Sequence, residues 1–516
     1  TSATNPISLG IGTNAGSGTL SGVTTMAAVN GVATFSGLSI NKAGTGYTLF
    51  AASPNLVNAT STPFTVTAGP ASLVAFTAQP SGTITGTPIS PAVAVAIRDL
   101  FGNLVTTATH SVTIAIGTNP GGGTLSGTTT VAAVNGVATF PDLSIDKAGA
   151  GYTLTATAAT LIAGVSPGFT IRDPLIFATI TAGYFHSCGF TTGGAAYCWG
   201  DNRSGQLGSG GGDHSNVPVQ VAGGLDFGGL GAGRTHTCGV TTAGAGHCWG
   251  DNALGSGTGT APTPRAVAGA VTFARVIAGY GHSCGVATSG AGYCWGSNGS
   301  GELGNGTTTS SNVPVLVSGG LVFASISPGR GFSCGLTTAG KAYCWGSNFQ
   351  GELGDGTTTP RTSPVAVSGQ LTFALVSAGA FHGCGLTTGG QAYCWGWNDL
   401  GQLGSGFGGT SGTPKPVGGG LTFVTLSAGN RHTCGVTPAG VGYCWGDNSN
   451  DMLGTGSPNN AGVPESVVGG LSWATISAGR FHTCGVTTAG AAYCWGAGGA
   501  IGDGTNLGRP VPTRVF

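Results

Sequence analysis

Gly479–Gly496 reads GRFHTCGVTTAGAAYCWG, and the chain carries this pattern seven times. The other copies end at Cys198-Trp199-Gly200, Cys248-Trp249-Gly250, Cys294-Trp295-Gly296, Cys344-Trp345-Gly346, Cys394-Trp395-Gly396 and Cys444-Trp445-Gly446. In every copy a first cysteine stands ten positions before the second: Cys188, Cys238, Cys284, Cys334, Cys384, Cys434 and Cys484, with Cys494 closing the last pair. These pairs account for all fourteen cysteines. Successive copies lie 50 residues apart, with one step of 46. A fixed period of this size identifies a repeat architecture before any local reading is made.

Each repeat spells out four short strands. An aromatic residue marks the first: Phe177, Phe227, Phe273, Phe323, Phe373, Phe423 and Trp473. An Ala-Gly or Pro-Gly turn follows, then a hairpin turning through a Thr-Thr-Ala-Gly type of sequence and ending in Cys-Trp-Gly. A Gly-Gln-Leu-Gly loop leads to a fourth strand near a Pro-Val, as at Pro218-Val219, Pro314-Val315 and Pro364-Val365. Four strands per repeat, seven times over residues 175–516, predict a seven-bladed β-propeller. A hairpin centred near Gly193 sets Cys188 opposite Cys198, close enough for a bridge. Trp199 alternates with Cys198 and faces the other side of the strand; the seven tryptophans are expected to pack between blades. The Asn three positions after Trp (Asn202, Asn252, Asn298, Asn348, Asn398, Asn448) is expected to cap the following turn.

The cysteine spacing is wrong for a zinc knuckle, which draws on closely spaced ligand pairs. Uniform pairs read as one disulfide per blade and an oxidising, extracytoplasmic location. The competing reading, fourteen buried thiols in a cytosolic protein, leaves the strict pairing without a reason.

Residues 1–172 carry a longer repeat. Thr1–Thr67 aligns without a gap on Thr106–Arg172, matching Gly18-Thr19-Leu20-Ser21-Gly22 to Gly123-Thr124-Leu125-Ser126-Gly127. Asn30-Gly31-Val32-Ala33-Thr34-Phe35 matches Asn135-Gly136-Val137-Ala138-Thr139-Phe140. Alternation in Val93-Ala94-Val95-Ala96-Ile97 and Val112-Thr113-Ile114-Ala115-Ile116 marks half-buried strands, and the Asn-Gly pairs are hairpin turns. Short strands at regular spacing suggest immunoglobulin-like sandwiches: an incomplete one over 1–70, which lacks a counterpart of residues 71–105, and a whole one over 71–172. Truncation of a longer array or completion by another subunit's strand would each account for the gap. Ile171–Pro174 reads as a linker.

Composition bounds the rest. Of 516 residues, 102 are Gly, 40% are hydrophobic and 6% are charged, and the formal net charge is zero. That balance fits all-β structure with many tight turns and opposes disorder. Few clustered cations argue against nucleic acid as a partner. No apolar run is long enough for a membrane span. No signal peptide is visible at Thr1, so a mature chain or a fragment is expected.

Through G-x-x-H-T, W-G-x-N and G-Q-L-G, the repeat of residues 175–516 resembles the regulator-of-chromosome-condensation repeat family. Its cysteine pairs fit the family's bacterial branch, which implies export. The GTLSG and NGVATF motifs resemble bacterial immunoglobulin-like repeats of secreted and surface proteins, which implies a spacer or adhesive stalk. The family brings two precedents: nuclear members that act as guanine-nucleotide exchange factors, and secreted bacterial members that bind and inhibit proteins.

No catalytic constellation is found. His186, His236, His282, His382, His432 and His482 share one register, with Phe332 in the seventh copy. Such a ring invites a metal, but blades spread too widely for one ion, and a buried His holding a turn is preferred; no compensating change accompanies Phe332. Glu302 and Glu352 stand where other copies have Gln206 and Gln402, so they read as loop positions. Asn305-Gly306, Asp355-Gly356 and Asp503-Gly504 lack the carboxylates of a calcium loop. No cofactor is expected. The two positions before the His register vary more suggestively: Tyr184-Phe185, Arg234-Thr235, Tyr280-Gly281, Arg330-Gly331, Ala380-Phe381, Asn430-Arg431 and Arg480-Phe481. They should lie at one end of the propeller, and Arg and aromatics are interface-enriched. Tyr184, Phe185, Arg234, Tyr280, Arg330, Phe381, Arg431, Arg480 and Phe481 are therefore the candidate binding residues. Trp397 and a shortened loop at Leu254-Gly255-Ser256-Gly257 are further departures. Two functions follow as expectations. One is a non-catalytic extracellular or cell-surface structural or adhesive protein, its partner another protein or copies of itself in a filament, sheath or surface layer. The other is a secreted protein-binding module or inhibitor acting through that ring.

Overall fold

The computed structural model describes residues 3–251, 255–256 and 259–516, so Asn252 and part of the shortened loop (Leu254, Gly257) lie outside the described residues. Every regular element among the described residues is a β-strand. The chain divides into two units, Thr1–Pro174 and Leu175–Phe516.

The second unit is the propeller: seven four-stranded antiparallel sheets, each from one uninterrupted stretch of chain. The first blade comprises Phe177–Ala182, His186–Thr191, Ala196–Gly200 and Ser215–Gln220; the last comprises Trp473–Ala478, His482–Thr487, Ala492–Gly496 and Arg509–Arg514. The first strands of neighbouring blades pack together around the ring, and Trp473–Ala478 packs on Phe177–Ala182 to close it. Period-two alternation drives this packing: Phe177, Ile180 and Ala182 are buried while Ala178 faces water.

All seven Cys pairs are bridged within their own hairpins, from Cys188–Cys198 to Cys484–Cys494, with Cα–Cα 4.1 Å throughout. That separation belongs to directly opposed, non-hydrogen-bonded partners, and Cys188 does pair with Cys198 in register. Each bridge closes a short local loop, which limits its entropic worth to about 3 kcal/mol.

The tryptophans join the blades. Trp249 Nε1 donates to the Gln206 carbonyl at 2.9 Å and Trp345 Nε1 to the Glu302 carbonyl at 2.8 Å, both on the preceding blade. Trp199 Nε1 donates to the Ala500 carbonyl at 2.9 Å and so seals last blade to first. The loop must approach the indole closely: a Cβ on Gly304 (φ 67°) would stand 2.6 Å from Trp345 Nε1. The Asn caps are in place, with Asn202 Oδ1 accepting from Leu207 N at 2.9 Å and Asn348 Oδ1 from Leu353 N at 3.0 Å.

The histidines belong to the same joints. His186 Nε2 meets Thr237 Oγ1 at 2.8 Å, His382 meets Thr433 at 2.8 Å, and His482 meets Ser187 at 2.8 Å. Each hydroxyl gives its one proton to a loop carbonyl, as Thr237 does to Gln206 O at 2.9 Å, so the imidazole must donate from Nε2. Nδ1 is then the bare nitrogen, and on His186, His382 and His432 it has no partner. Burial pushes the pKa of all six down to about 3 or 4, which keeps them neutral.

Phe332 corrects one sequence expectation, because a compensating change exists. The position that would hold the receiving hydroxyl on the next blade is Gly383. With neither imidazole nor hydroxyl there, the Trp395 ring leans in, and a Cβ on Gly383 would come 2.7 Å from its Nε1.

In the first unit, the second copy sets the sheet Leu73–Ala78, Val93–Arg98, Val137–Phe140 beside the sheet Thr130–Ala132, Ser111–Ile116, Leu154–Ala158, Gly164–Val165. Val95, Ile97, Val112, Phe140 and Leu154 form its fully buried core. Asn135 and Gly136, with φ 51° and 79°, make the hairpin turn, as do Asn30 and Gly31 with φ 52° and 83°. The first copy repeats one sheet: Thr25–Ala27, Pro6–Ile11, Leu49–Ala52, Ala59–Thr60. Among the described residues, no strands stand to it as Leu73–Ala78 and Val93–Arg98 stand to the second copy. Equivalent residues fare differently: Phe169 is 6% exposed and Phe64 37%. The expected linker is shorter than Ile171–Pro174. Ile171 is buried in the strand Phe169–Arg172, which pairs with Thr83–Ile84 and Gly149–Tyr152.

Candidate binding site at the channel mouth

The Ala-Gly and Pro-Gly turns after the first strands circle one end of the central channel. A chain of backbone bonds links them, from Tyr184 N to Gly233 O (3.0 Å) and onward to Arg480 N to Gly183 O (3.1 Å). The next residue on each blade therefore points around a single opening. A cavity of about 100 Å³ lies there, lined by Tyr184, Tyr280, Arg330, Asn430 and the turns. A second hollow of about 350 Å³ adjoins it through Tyr184 at the joint of the last and first blades, lined also by Phe185, Arg203 and Phe481.

Tyr184 organises the opening. It leans from the first blade to Tyr280 on the third (ring centroids 4.8 Å, edge-on) and bonds through Oη to Asn430 Oδ1 on the sixth at 3.0 Å. Burial raises its pKa to about 12, against the pull of Arg330, Arg480 and Arg234, so the hydroxyl keeps its proton. Arg234 and Arg330 lie over the Tyr280 ring at 4.7 and 5.2 Å, and Arg330 also over Phe381 at 4.9 Å. Arg480 sits among Phe481 (4.2 Å), Tyr184 (5.0 Å) and Phe185 (5.1 Å). Arg431 lies apart, over Trp397 at 5.7 Å. Among the described residues none of these four arginines forms an ion pair; the pairs present are Arg203–Asp201, Arg361–Asp355 and Arg509–Asp503.

The nine candidate residues thus fall at one end of the propeller, eight in direct contact and the ninth reached through Trp397. Tyr184, Phe185, Arg234, Tyr280, Arg330, Phe381, Arg480 and Phe481 form a linked cation–aromatic chain. Arg431 joins Trp397, which stacks edge-on with Phe381 at 5.6 Å. Trp397 and Asn430 are the members that the sequence argument left off its list. Trp397 stood out as a departure from its repeat, but the contact that recruits it lies across the hairpin.

Other polar candidates have local tasks. Glu302 Oε2 accepts from Ser300 N at 2.8 Å and Glu352 Oε2 from Gln350 N at 2.7 Å, which fixes two turns, and burial raises the Glu352 pKa. Asp355 accepts from Thr357 N and Oγ1 at 2.9 and 2.7 Å. Among the described residues, no group of three or more His, Cys, Asp or Glu could hold a metal ion. Nor is any helix among them long and apolar enough to cross a membrane.

Comparison with known proteins places the fold. Two family models described as regulator of chromosome condensation (RCC1) repeat match the propeller. One covers residues 177–206, 323–352, 373–402 and 473–500; the other covers 193–240, 289–336, 339–386, 389–436 and 440–486. Together they span more than half of the chain. No curated protein matches it. Human WBSCR16 superposes with TM-score 0.57 at 20% identity, over 63% of this chain and 90% of that one. Yeast RCC1 (Prp20), bound to Kap60, gives 0.56 at 18% identity, over 66% and 85%. Prp20p of Saccharomyces cerevisiae, described with its binding to Gsp1p and histones, gives 0.56 at 19%, over 66% and 87%. At these identities the likeness is one of fold. With seven four-stranded blades, the interblade joints and both repeat models in agreement, this chain belongs to the regulator of chromosome condensation (RCC1) repeat family.

Proposed function

We propose that this chain is a non-catalytic protein-binding module working outside the cytoplasm, and that it takes its partner at the channel mouth. The observation that carries the reading is the mouth itself. Exposed arginines and half-buried aromatics from several blades converge there, while the repeated His, Trp and Asn side chains are spent on the fold. Cation–aromatic clusters of this kind are typical of interface hot spots. Yeast Prp20, of the same fold, is bound to Kap60 in its structure, which supports a protein partner. Seven buried disulfides support an oxidising compartment. The test is site-specific photo-crosslinking in the native secreted fraction. A benzophenone side chain at Phe381 should capture a partner that one at Val463, on an outer strand, does not. Equal capture at both positions, or none at either, would reject the mouth.

A second reading, self-assembly into a surface structure with the N-terminal repeats as stalk, is supported by the open face of the first repeat. Phe64 there is 37% exposed, where its counterpart Phe169 is buried. Light scattering behind size exclusion, with negative-stain images of non-reduced protein, decides it. Ordered filaments or sheets would support it, and a monodisperse monomer would reject it.

A further inference from the structure

Resting on that reading, we infer that the channel mouth is a receptor for a carboxylate: the partner inserts an acidic side chain among Arg234, Arg330 and Arg480, above Tyr184 and Tyr280. Each guanidinium is held by ring faces, not by a carboxylate. Ring stacking fixes the plane of an arginine and leaves its edge N–H donors free. Arg234 and Arg330 share the Tyr280 ring, and Arg480 lies over Tyr184, whose ring meets Tyr280 at 4.8 Å. The Tyr184 hydroxyl already donates to Asn430, so three positive charges gather on two touching rings, and none of them forms an ion pair among the described residues. Arg480 Nε is buried and has no acceptor. The Arg480 guanidinium is therefore committed to no acceptor among the described residues, and its charge is left for an incoming carboxylate to meet.

Size and surroundings narrow the class. The cavity of about 100 Å³ at the mouth, which Arg330 lines with Tyr184 and Tyr280, accepts the end of a side chain, not a folded surface. Phosphate would also suit an arginine fork, but an extended phosphate backbone has to cross the rim. There Asp201, Asp251 and Asp447 are held by backbone bonds to the carbonyls of Phe185, Thr235 and Arg431 at 2.9, 2.9 and 3.0 Å. Of these, Asp201 is matched by Arg203. A centre of positive charge with Asp251 and the paired Asp201 beside it favours one inserted acidic residue over a polyanion track. The aromatic lining favours an apolar or aromatic neighbour beside that residue.

Fluorescence anisotropy on the full chain tests this with three labelled probes at low salt: the peptide EYEYEY, its neutral counterpart QYQYQY and a short oligothymidine. EYEYEY should bind at least about tenfold tighter than QYQYQY, as expected for a charge-assisted contact. The R234Q/R330Q variant, altered at two exposed side chains, should lose at least that factor with an unchanged melting temperature. Equal binding of the two peptides, retention of EYEYEY by the variant, or tighter binding of the oligonucleotide would overturn the inference. The two proposals fail separately. Crosslinking at Phe381 without a Glu-over-Gln preference rejects the carboxylate and keeps the protein-binding reading. A Glu preference lost in the variant, without partner capture, does the opposite.

Discussion

The first copy of the N-terminal repeat and the first blade of the propeller are both leading members of a series of near-identical units, and they meet opposite fates. The first copy shares GTLSG and NGVATF with the second, yet its Phe64 is 37% exposed where Phe169 is 6% exposed. The first blade has no such deficit. Trp199 is fully buried, its Nε1 on the Ala500 carbonyl, and Ser187 holds His482 of the last blade. A motif specifies which residues face inward. A neighbour decides whether inward means buried. The closed ring gives every blade such a neighbour.

Acid should separate the two units most. All six register histidines are buried and neutral, with pKa pushed down to about 3 or 4 from an ordinary value near 6.5. Above about pH 6.5 neither folded nor unfolded chain holds these protons. As pH falls below that, the unfolded chain takes them up and the folded one does not. Stability should then drop by about 1.4 kcal/mol per pH unit for each histidine, until the folded pKa is reached. Hydrogen exchange between pH 7 and pH 4.5 should show the propeller losing protection while Thr1–Pro174, with no buried histidine, keeps it. Parallel loss in both units would break the contrast.

The next largest effect lies within the N-terminal unit. Phe140→Ala removes a fully buried ring and should cost about 3–5 kcal/mol. The equivalent Phe35→Ala removes a partly exposed one and should cost less, in step with its smaller buried area. Urea denaturation followed by peptide-resolved exchange measures both. Equal costs would mean that the first copy is covered in solution.

A smaller effect tests whether joints, not blades, are the units of design. Phe332→His should bury an imidazole with no hydroxyl to meet, and Gly383→Ser should strike Trp395. The pair together should cost about 1–2 kcal/mol less than the sum of the singles, read by thermal melting at neutral pH. Additivity would show that Phe332 and Gly383 are independent.

Much of this was legible because it repeats. The Cys register, the inward Trp and the Asn caps are offsets within one unit, so the repeat states the first two seven times and the caps six times. The bond partner of each His is not within its unit. It lies 51 residues on in the pairs His186–Thr237 and His382–Thr433, which is why Gly383 went unnoticed as the complement of Phe332. The mouth was legible as a register but not as a network. Tyr184 reaches Asn430, 246 positions away, and only a closed ring makes those residues neighbours. The strand character of Ile171 was hidden for the same reason: its pairing partners at Thr83 and Gly149 are distant in sequence.

Each blade is one unbroken stretch, and the Trp and His bonds that join it reach only the blade before and the blade after. In genetic terms, the natural unit of change is a segment of about 50 codons. Duplicating or deleting it adds or removes a whole blade together with its disulfide, and the one new joint inherits working partners wherever a His meets a hydroxyl, the joint of Phe332 and Gly383 being the exception. The seam between Trp199 and Ala500 uses the same Trp-to-carbonyl bond as the joint between Trp249 and Gln206, so no special sequence has to mark where the circle begins. Near-identity among the blades is then what lets the ring be counted up or down, while the residues at the mouth, free of that duty, can diverge from blade to blade.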